Sequence, residues 1–306
     1  MYFYFVTFTI LIIRTTKILL INNTEVMKTT YEVRYAASPN DVKSYDTQKL
    51  RDEFLIDSLM KPDTIHFVYT HYDRYMAGSA VPTSTPLKLE TVDALKSEFF
   101  LERRELGIIN VGEQGTVSVD GTDYVLNHKE ALYIGQGNKD VTFSSTSANK
   151  PAKFYLNSTP AHKAFPTKKI GTDDVEVIEL GAPETANART LRKYIVNTVV
   201  DVCQLQMGMT TLKPGSSWNT MPAHVHDRRM EVYFYFEVPE DQAVCHFMGQ
   251  PHETRHIWMA NDQAVISPPW SIHSGSGTSS YTFIWGMAGE NLDYGDMDHC
   301  KINELR

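Results

Sequence analysis

His224 and His226 stand two apart in Pro222-Ala223-His224-Val225-His226, Glu231 follows five residues after His226, and His273 closes Ser267-Pro268-Pro269-Trp270-Ser271-Ile272-His273. Alternate side chains of an extended strand share a face, so the two imidazoles of the His-x-His point the same way. Glu231 opens the run Glu231-Val-Tyr-Phe-Tyr-Phe236, and a short turn through Asp227 and Arg228 folds its carboxylate back beside them. Three neutral imidazoles and one carboxylate make a borderline nitrogen/oxygen donor set for one divalent ion: zinc, manganese, iron, nickel or cobalt. With eleven histidines in 306 residues, a His-x-His alone is a weak signal. The carboxylate at five and the distant histidine after a Pro-Pro turn carry the metal reading.

Donors so far apart in sequence need a rigid scaffold, and the chain reads as short strands divided by turns. Phe67–Asp73, Ala131–Ile134, Val141–Phe143 and Lys153–Leu156 are strand-like. Asp120-Gly121 between the alternating runs Thr116–Val119 and Thr122–Leu126 is a hairpin signal, because that dipeptide accepts the positive φ angles of a tight turn. The stretch Asn40–Leu55 carries Asp and Thr capping candidates, and its later part predicts one or two helical turns. Residues 161–190, rich in Pro, Thr, Lys and acids, read as a linker. A second strand set follows through Cys203–Leu212, Glu231–Val238, Ala264–Ser267 and Tyr281–Trp285. Strands at this spacing predict an all-β chain of barrels or sandwiches with few short helices.

The two halves suggest an internal repeat. Aligned on it, His224, His226 and His273 face Glu98, Phe100 and Asp140, so the first half keeps only Glu105 of the donor set and binds no metal in this way.

Composition excludes several classes. At 42% hydrophobic and 22% charged residues the chain belongs with soluble globular proteins, and its length suits two modest domains. A formal net charge of −8 with no basic run interleaved with aromatics argues against nucleic acid as a partner. Three cysteines, Cys203, Cys245 and Cys300, without Cys-x-x-Cys spacing, argue against a disulfide framework and suit a reducing cytoplasm. The first residues are apolar, but the unbroken run of about thirteen falls short of the ~20 that span a bilayer, and Arg14 and Lys17 interrupt its continuation. No basic stretch precedes the run and no small-x-small site follows Ile21, so a signal peptide fits poorly. Met27 reads as the start, and residues 1–26 as an upstream, non-native extension.

His-x-His, a carboxylate at five and a distant histidine form the ligand pattern of the cupin barrels. Longer segments narrow the resemblance: Phe100-Leu-Glu-Arg-Arg-Glu-Leu-Gly-Ile-Ile-Asn110, Trp218-Asn-Thr-Met-Pro222, Arg228-Arg-Met-Glu-Val-Tyr-Phe-Tyr-Phe236, Glu253-Thr-Arg-His-Ile257, Trp270-Ser-Ile-His-Ser-Gly275 and Tyr281-Thr-Phe-Ile-Trp-Gly-Met287 closely resemble the 5-keto-4-deoxyuronate isomerase family, from about Met27 to Arg306. The resemblance implies a bicupin: a barrel lacking metal ligands over 27–160, then a metal-binding barrel over 191–306. It also implies a homohexamer and a zinc-dependent ketol-isomerase of pectin and uronate breakdown, turning 5-dehydro-4-deoxy-D-glucuronate into 3-deoxy-D-glycero-2,5-hexodiulosonate.

Such a substrate brings a carboxylate, which the planar fork of an arginine matches. Arg229, on the same strand face as Glu231, is the expected partner; Arg103, Arg104 and Arg255 are further candidates. Glu105 is the candidate for proton transfer, and Tyr233 and Tyr235 alternate with Glu231 toward the same interior. The donor set prescribes a metal and not a reaction, so a cupin dioxygenase and a non-catalytic uronate-binding cupin stay open beside the isomerase.

Overall fold

The computed structural model describes residues 29–306; the expected extension at 1–26 lies outside the described residues. The described chain is nearly all β. Its two α-helices are short: Pro39–Val42, capped by Ser38, and Thr47–Phe54, where Asp46 accepts from the Lys49 N–H at 2.8 Å. Asp and Ser side chains at these positions satisfy amides that the first turn leaves unbonded, so the helices start where the caps stand. The Asp120-Gly121 hairpin forms as the sequence predicts, with φ of 47° and 83° joining Gly115–Val119 to Thr122–Leu126. A side chain at Gly121 would meet nothing, so glycine is required there by backbone angle and not by space.

Two seven-stranded sheets dominate. The first runs Thr30–Arg34, Ile65–Thr70, Met76–Ala80, Phe154–Pro160, Arg104–Asn110, Ala131–Ile134, Lys168–Ile170. The second runs Glu176–Leu180, Arg189–Ile195, Gln206–Leu212, Thr282–Gly289, Arg229–Phe236, Gln263–Ser267, Leu55–Ile56. Each is accompanied by a four-stranded sheet, and apart from the edge strands of the large sheets the strand order is the same in both halves, so the internal repeat is one of topology. The large sheets meet back to back, where Tyr155 stacks on Phe234 with ring centroids 4.3 Å apart. Burying each such ring contributes about 2–3 kcal/mol, and the stacking adds about 1 kcal/mol.

The halves are less separate than the sequence implies. Leu55–Ile56, from the first half, adds an edge strand to the second sheet by pairing with Val265 and Ala264. Residues 161–190, expected as a linker, contain Lys168–Ile170 at the edge of the first sheet and Glu176–Leu180 at the edge of the second. The linker reading missed these two strands because a polar edge strand, hydrogen-bonded on only one side and little buried, resembles a linker in composition.

The repeat alignment is also off by one residue where it matters. Glu231 pairs with Ser267, the last residue of its neighbouring strand; in the first sheet it is Leu106 that pairs with the corresponding last residue, Ile134. A shift of one reverses the face. Leu106 and Ile108 therefore enter the core of the first barrel, packed with Phe67, Phe143 and Phe154, while Gly107 faces outward against Met207 and Ile195 of the second half.

Candidate metal centre

The second barrel assembles the predicted donors. His224 lies in a two-residue strand, His224–Val225, whose partner is Asp298–His299 near the chain end. His226 follows two residues on, its backbone N–H bonded to the Pro269 carbonyl at 3.2 Å, which ties the His-x-His to the Pro-Pro turn. Glu231 projects inward from Arg229–Phe236, and His273 sits just before Ser274–Gly277. One ligating atom from each of the four lies within 4.8 Å of all the others, and all four residues are buried. His226 Nε2 is 2.7 Å from Glu231 Oε1, His273 Nε2 is 3.4 Å from the same oxygen, and His273 Nε2 is 2.9 Å from His224 Nε2.

The network around the donors decides which atoms carry lone pairs. His226 Nδ1 is 2.5 Å from the Asp296 carbonyl, an acceptor only, and 3.3 Å from Arg229 Nη2, a donor only; the shorter contact favours the proton on Nδ1 and the lone pair on Nε2. That lone pair then faces a carboxylate oxygen, and two acceptors at 2.7 Å need a cation between them. Two further imidazole nitrogens converge on the same point, which suits a metal ion better than a proton. Burial, and next the neighbouring His226, hold His224 down at about 3, and burial puts His273 well below the usual imidazole value. For Glu231 burial opposes ionisation, but His273, His226 and Arg229 outweigh it and its carboxyl titrates below the ordinary range. Neutral imidazoles and an ionised carboxylate are the protonation states that ligate a divalent cation.

His224 and Glu231 open onto a cavity of about 450 Å³, which Arg189, Tyr233, Tyr294 and His299 also line. The Tyr233 hydroxyl is 3.0 Å from Thr220 Oγ1, and burial, with Glu231 beside it, raises its pKa well above that of a free phenol. It remains a hydrogen-bond donor at any working pH.

The other predicted residues fall elsewhere. Arg229 is 1% exposed, and its guanidinium donates to the carbonyls of Asp293 at 2.8 Å and Asp296 at 2.7 Å. It holds the chain end against His226 and is not among the cavity's lining residues. Glu105 is fully buried on the outward face of its strand, where it accepts from Tyr133 Oη, Thr159 Oγ1 and the backbone N–H groups of Cys203, Gln204 and Leu205. The structure does not bring it to the cavity; it fastens the segment entering Gln206–Leu212 to the first half. Arg103, Arg104 and Arg255 donate to carbonyls of Leu95, Ser158 and Lys43 and likewise stand outside the cavity. Tyr235 lies deeper, its hydroxyl 2.8 Å from His246 Nδ1. Sequence reasoning missed Arg189, which fell in the stretch read as linker, and His299, whose place depends on a two-residue pairing that no local signal announces.

Two cupin-like barrels, one with a buried three-histidine, one-glutamate group that could hold a metal ion beside a cavity, define a bicupin. The chain belongs to the KduI/IolB family, whose model matches residues 57–302. It is 70% identical over 280 residues to the 4-deoxy-L-threo-5-hexosulose-uronate ketol-isomerase of Formosa agariphila, covering 92% of this chain and 100% of that one. A protein of the same name from Lachnoclostridium phytofermentans is 58% identical, covering 90% of this chain and 100% of the relative. Among solved structures, an IolB-like protein from Salmonella typhimurium LT2 superposes with a TM-score of 0.63 at 13% identity, over 75% of this chain and 88% of that one. The oxalate decarboxylase of Lactobacillus farciminis superposes with a TM-score of 0.52 at 9% identity, over 75% of this chain and 80% of that one. These two establish the fold alone.

Proposed function

We propose that this chain is a metal-dependent ketol-isomerase that converts 4-deoxy-L-threo-5-hexosulose uronate, the open-chain form of 5-dehydro-4-deoxy-D-glucuronate, into 3-deoxy-D-glycero-2,5-hexodiulosonate. The observation that carries it is the opening of the donor cluster, through His224 and Glu231, onto a cavity sized for a six-carbon acid, in a chain 70% identical to a protein of that name. His224, His226, Glu231 and His273 hold one divalent ion per chain, zinc by family resemblance. When bound, the ion supplies Lewis acidity for the negative charge that develops on neighbouring oxygens as a proton moves from C2 to C1.

The chain's own residues do the rest. Tyr233, kept protonated, donates a hydrogen bond to a substrate oxygen; Tyr294, Trp285 and Phe283 give the cavity an apolar wall that limits water and so strengthens each polar contact inside. Arg229 and the Asp296 carbonyl fix the His226 ring, which sets the direction of its Nε2 lone pair. Family resemblance further assigns a homohexamer working in the cytoplasm. An NMR time course with the hexosulose uronate tests the reading, with protein as isolated, after chelation, and after zinc is restored. The aldehyde signal gives way to the ketose in the first and third samples and persists in the second. Persistence in a folded, zinc-loaded sample overturns the assignment.

A further inference from the structure

We infer that Arg189 is the carboxylate anchor of this cavity and sets its preference for an acid over a neutral sugar, an assignment that rests on the isomerase reading above. Arg189 opens the Arg189–Ile195 strand and lines the same cavity as His224, Glu231 and Tyr233. It is half-buried, yet among the described residues no carboxylate oxygen lies within 4.0 Å of it, whereas Lys129, Lys153 and Lys193 each meet one. Its one hydrogen bond within the protein runs from Nη1 to the Asn187 carbonyl at 2.8 Å. Nε and Nη2 have no protein acceptor and are not sealed from open space, so two donors of a planar fork remain for a ligand. Burial presses against the charged form, and Tyr233, Tyr294 and Tyr281 are the groups that favour it; no acid contributes. A guanidinium held in a partly desolvated wall without an anion is one that an incoming carboxylate completes.

The surroundings fix its aim. Asn187, whose carbonyl holds Nη1, closes a turn in which its Oδ1 accepts from the Ala182 N–H at 3.0 Å and from Thr185 Oγ1 at 2.6 Å. Gly181 enters that turn at a φ of +73°, with the Asn187 carbonyl 2.2 Å from where a Cβ would stand. Any other residue would displace the carbonyl and release the arginine. The contrast with Arg229 is direct: that guanidinium gives both Nη groups to backbone carbonyls of 293–296, its Nε is buried away from any ligand, and no fork is left. An open-chain uronate carries its aldehyde and its carboxylate at opposite ends, so a donor cluster for one and a free arginine for the other, in one cavity, orient it.

The test compares wild type with R189Q and R189K on the hexosulose uronate and on its neutral C6 carboxamide, with metal content and melting temperature recorded for each. Wild type prefers the acid, on the order of 10²-fold in kcat/KM, as expected where a charged hydrogen-bonding site meets a ligand lacking the charge. In R189Q that preference collapses to a few-fold, the loss on the acid appears mainly as a raised KM, and millimolar guanidinium restores part of it. R189K keeps an intermediate preference because its ammonium retains the charge without the fork. Equal losses on acid and amide in both variants, leaving the wild-type ratio unchanged, overturn the anchor while the isomerase reading stands. A zinc-loaded wild type inert on both compounds overturns the isomerase reading and this assignment with it.

Discussion

His226 Nε2 and Glu231 Oε1 face each other at 2.7 Å while His226 Nδ1 is committed to the Asp296 carbonyl, so the pair presents two acceptors to one point. His224 and His273 direct their Nε2 atoms to the same region. The cluster is thus organised for a cation in the folded chain, an arrangement that the unfolded chain lacks.

Metal should therefore stabilise the fold as well as support activity. At a free zinc concentration a hundredfold above Kd, linkage adds about 2.7 kcal/mol. Chelation should lower the melting temperature by several degrees, and zinc should restore it. H226A and E231A should lose both the metal, read by elemental analysis, and this zinc-dependent shift in melting.

Arg229 predicts a mixed phenotype. R229A removes the Arg229 donor from the Asp293 carbonyl, leaves the Asp296 carbonyl to His226 alone, and frees the chain end that positions His226. Stability should fall by about 2–4 kcal/mol and metal affinity by about 10–100-fold, with selectivity between acid and amide substrates intact. Urea titration and competition with a chromophoric chelator measure the two losses separately.

Much of this site was legible because its chemistry is carried by short-range spacing. His224 and His226 share a face by strand alternation, Glu231 returns across one turn, and Pro268-Pro269 announces the loop that delivers His273. Asp120-Gly121 was legible for the same reason: the turn's backbone angles are written in two residues. What escaped depends on non-local register. Arg189 reaches the cavity only because Arg189–Ile195 pairs with Gln206–Leu212, and His299 only because it pairs with His224 across most of a barrel. Leu55–Ile56 completes the sheet of the other half, which no composition shift marks. Glu105 shows how little separates the outcomes. One residue of register turns it from a barrel interior to the face between the halves.

That placement makes Glu105 a test of structure against chemistry. Its carboxylate gathers five donors, three of them backbone amides of 203–205. E105Q turns one acceptor oxygen into an NH₂ facing those donors and should cost about 3 kcal/mol. The folded fraction should retain metal content and kcat/KM within a few-fold of wild type. A loss of kcat by orders of magnitude in stable, metal-replete E105Q would return Glu105 to the proton-transfer role.

The contact between the halves also predicts a pH dependence. Glu237, in the second half, meets Lys129 Nζ at 2.6 Å and His128 Nε2 at 3.3 Å, both from the first. Burial alone would raise its carboxyl, but the hydrogen bonds from His128, Lys129 and Thr282 and the Lys129 charge prevail and lower it to about 2. A carboxyl depressed in the folded state contributes stability that is present above its unfolded value, near 4.3, and is lost as pH falls through the folded value. Because the side chain is 39% exposed, solvent screening reduces the contribution to about 1 kcal/mol. Wild type should exceed E237Q by that margin from pH 5 to 7, and the gap should shrink from about pH 4 and close near pH 2. Urea midpoints measured on both proteins across this range give the curve; a gap that stays constant down to pH 2 would mean that Glu237 stabilises the contact by packing and not by charge.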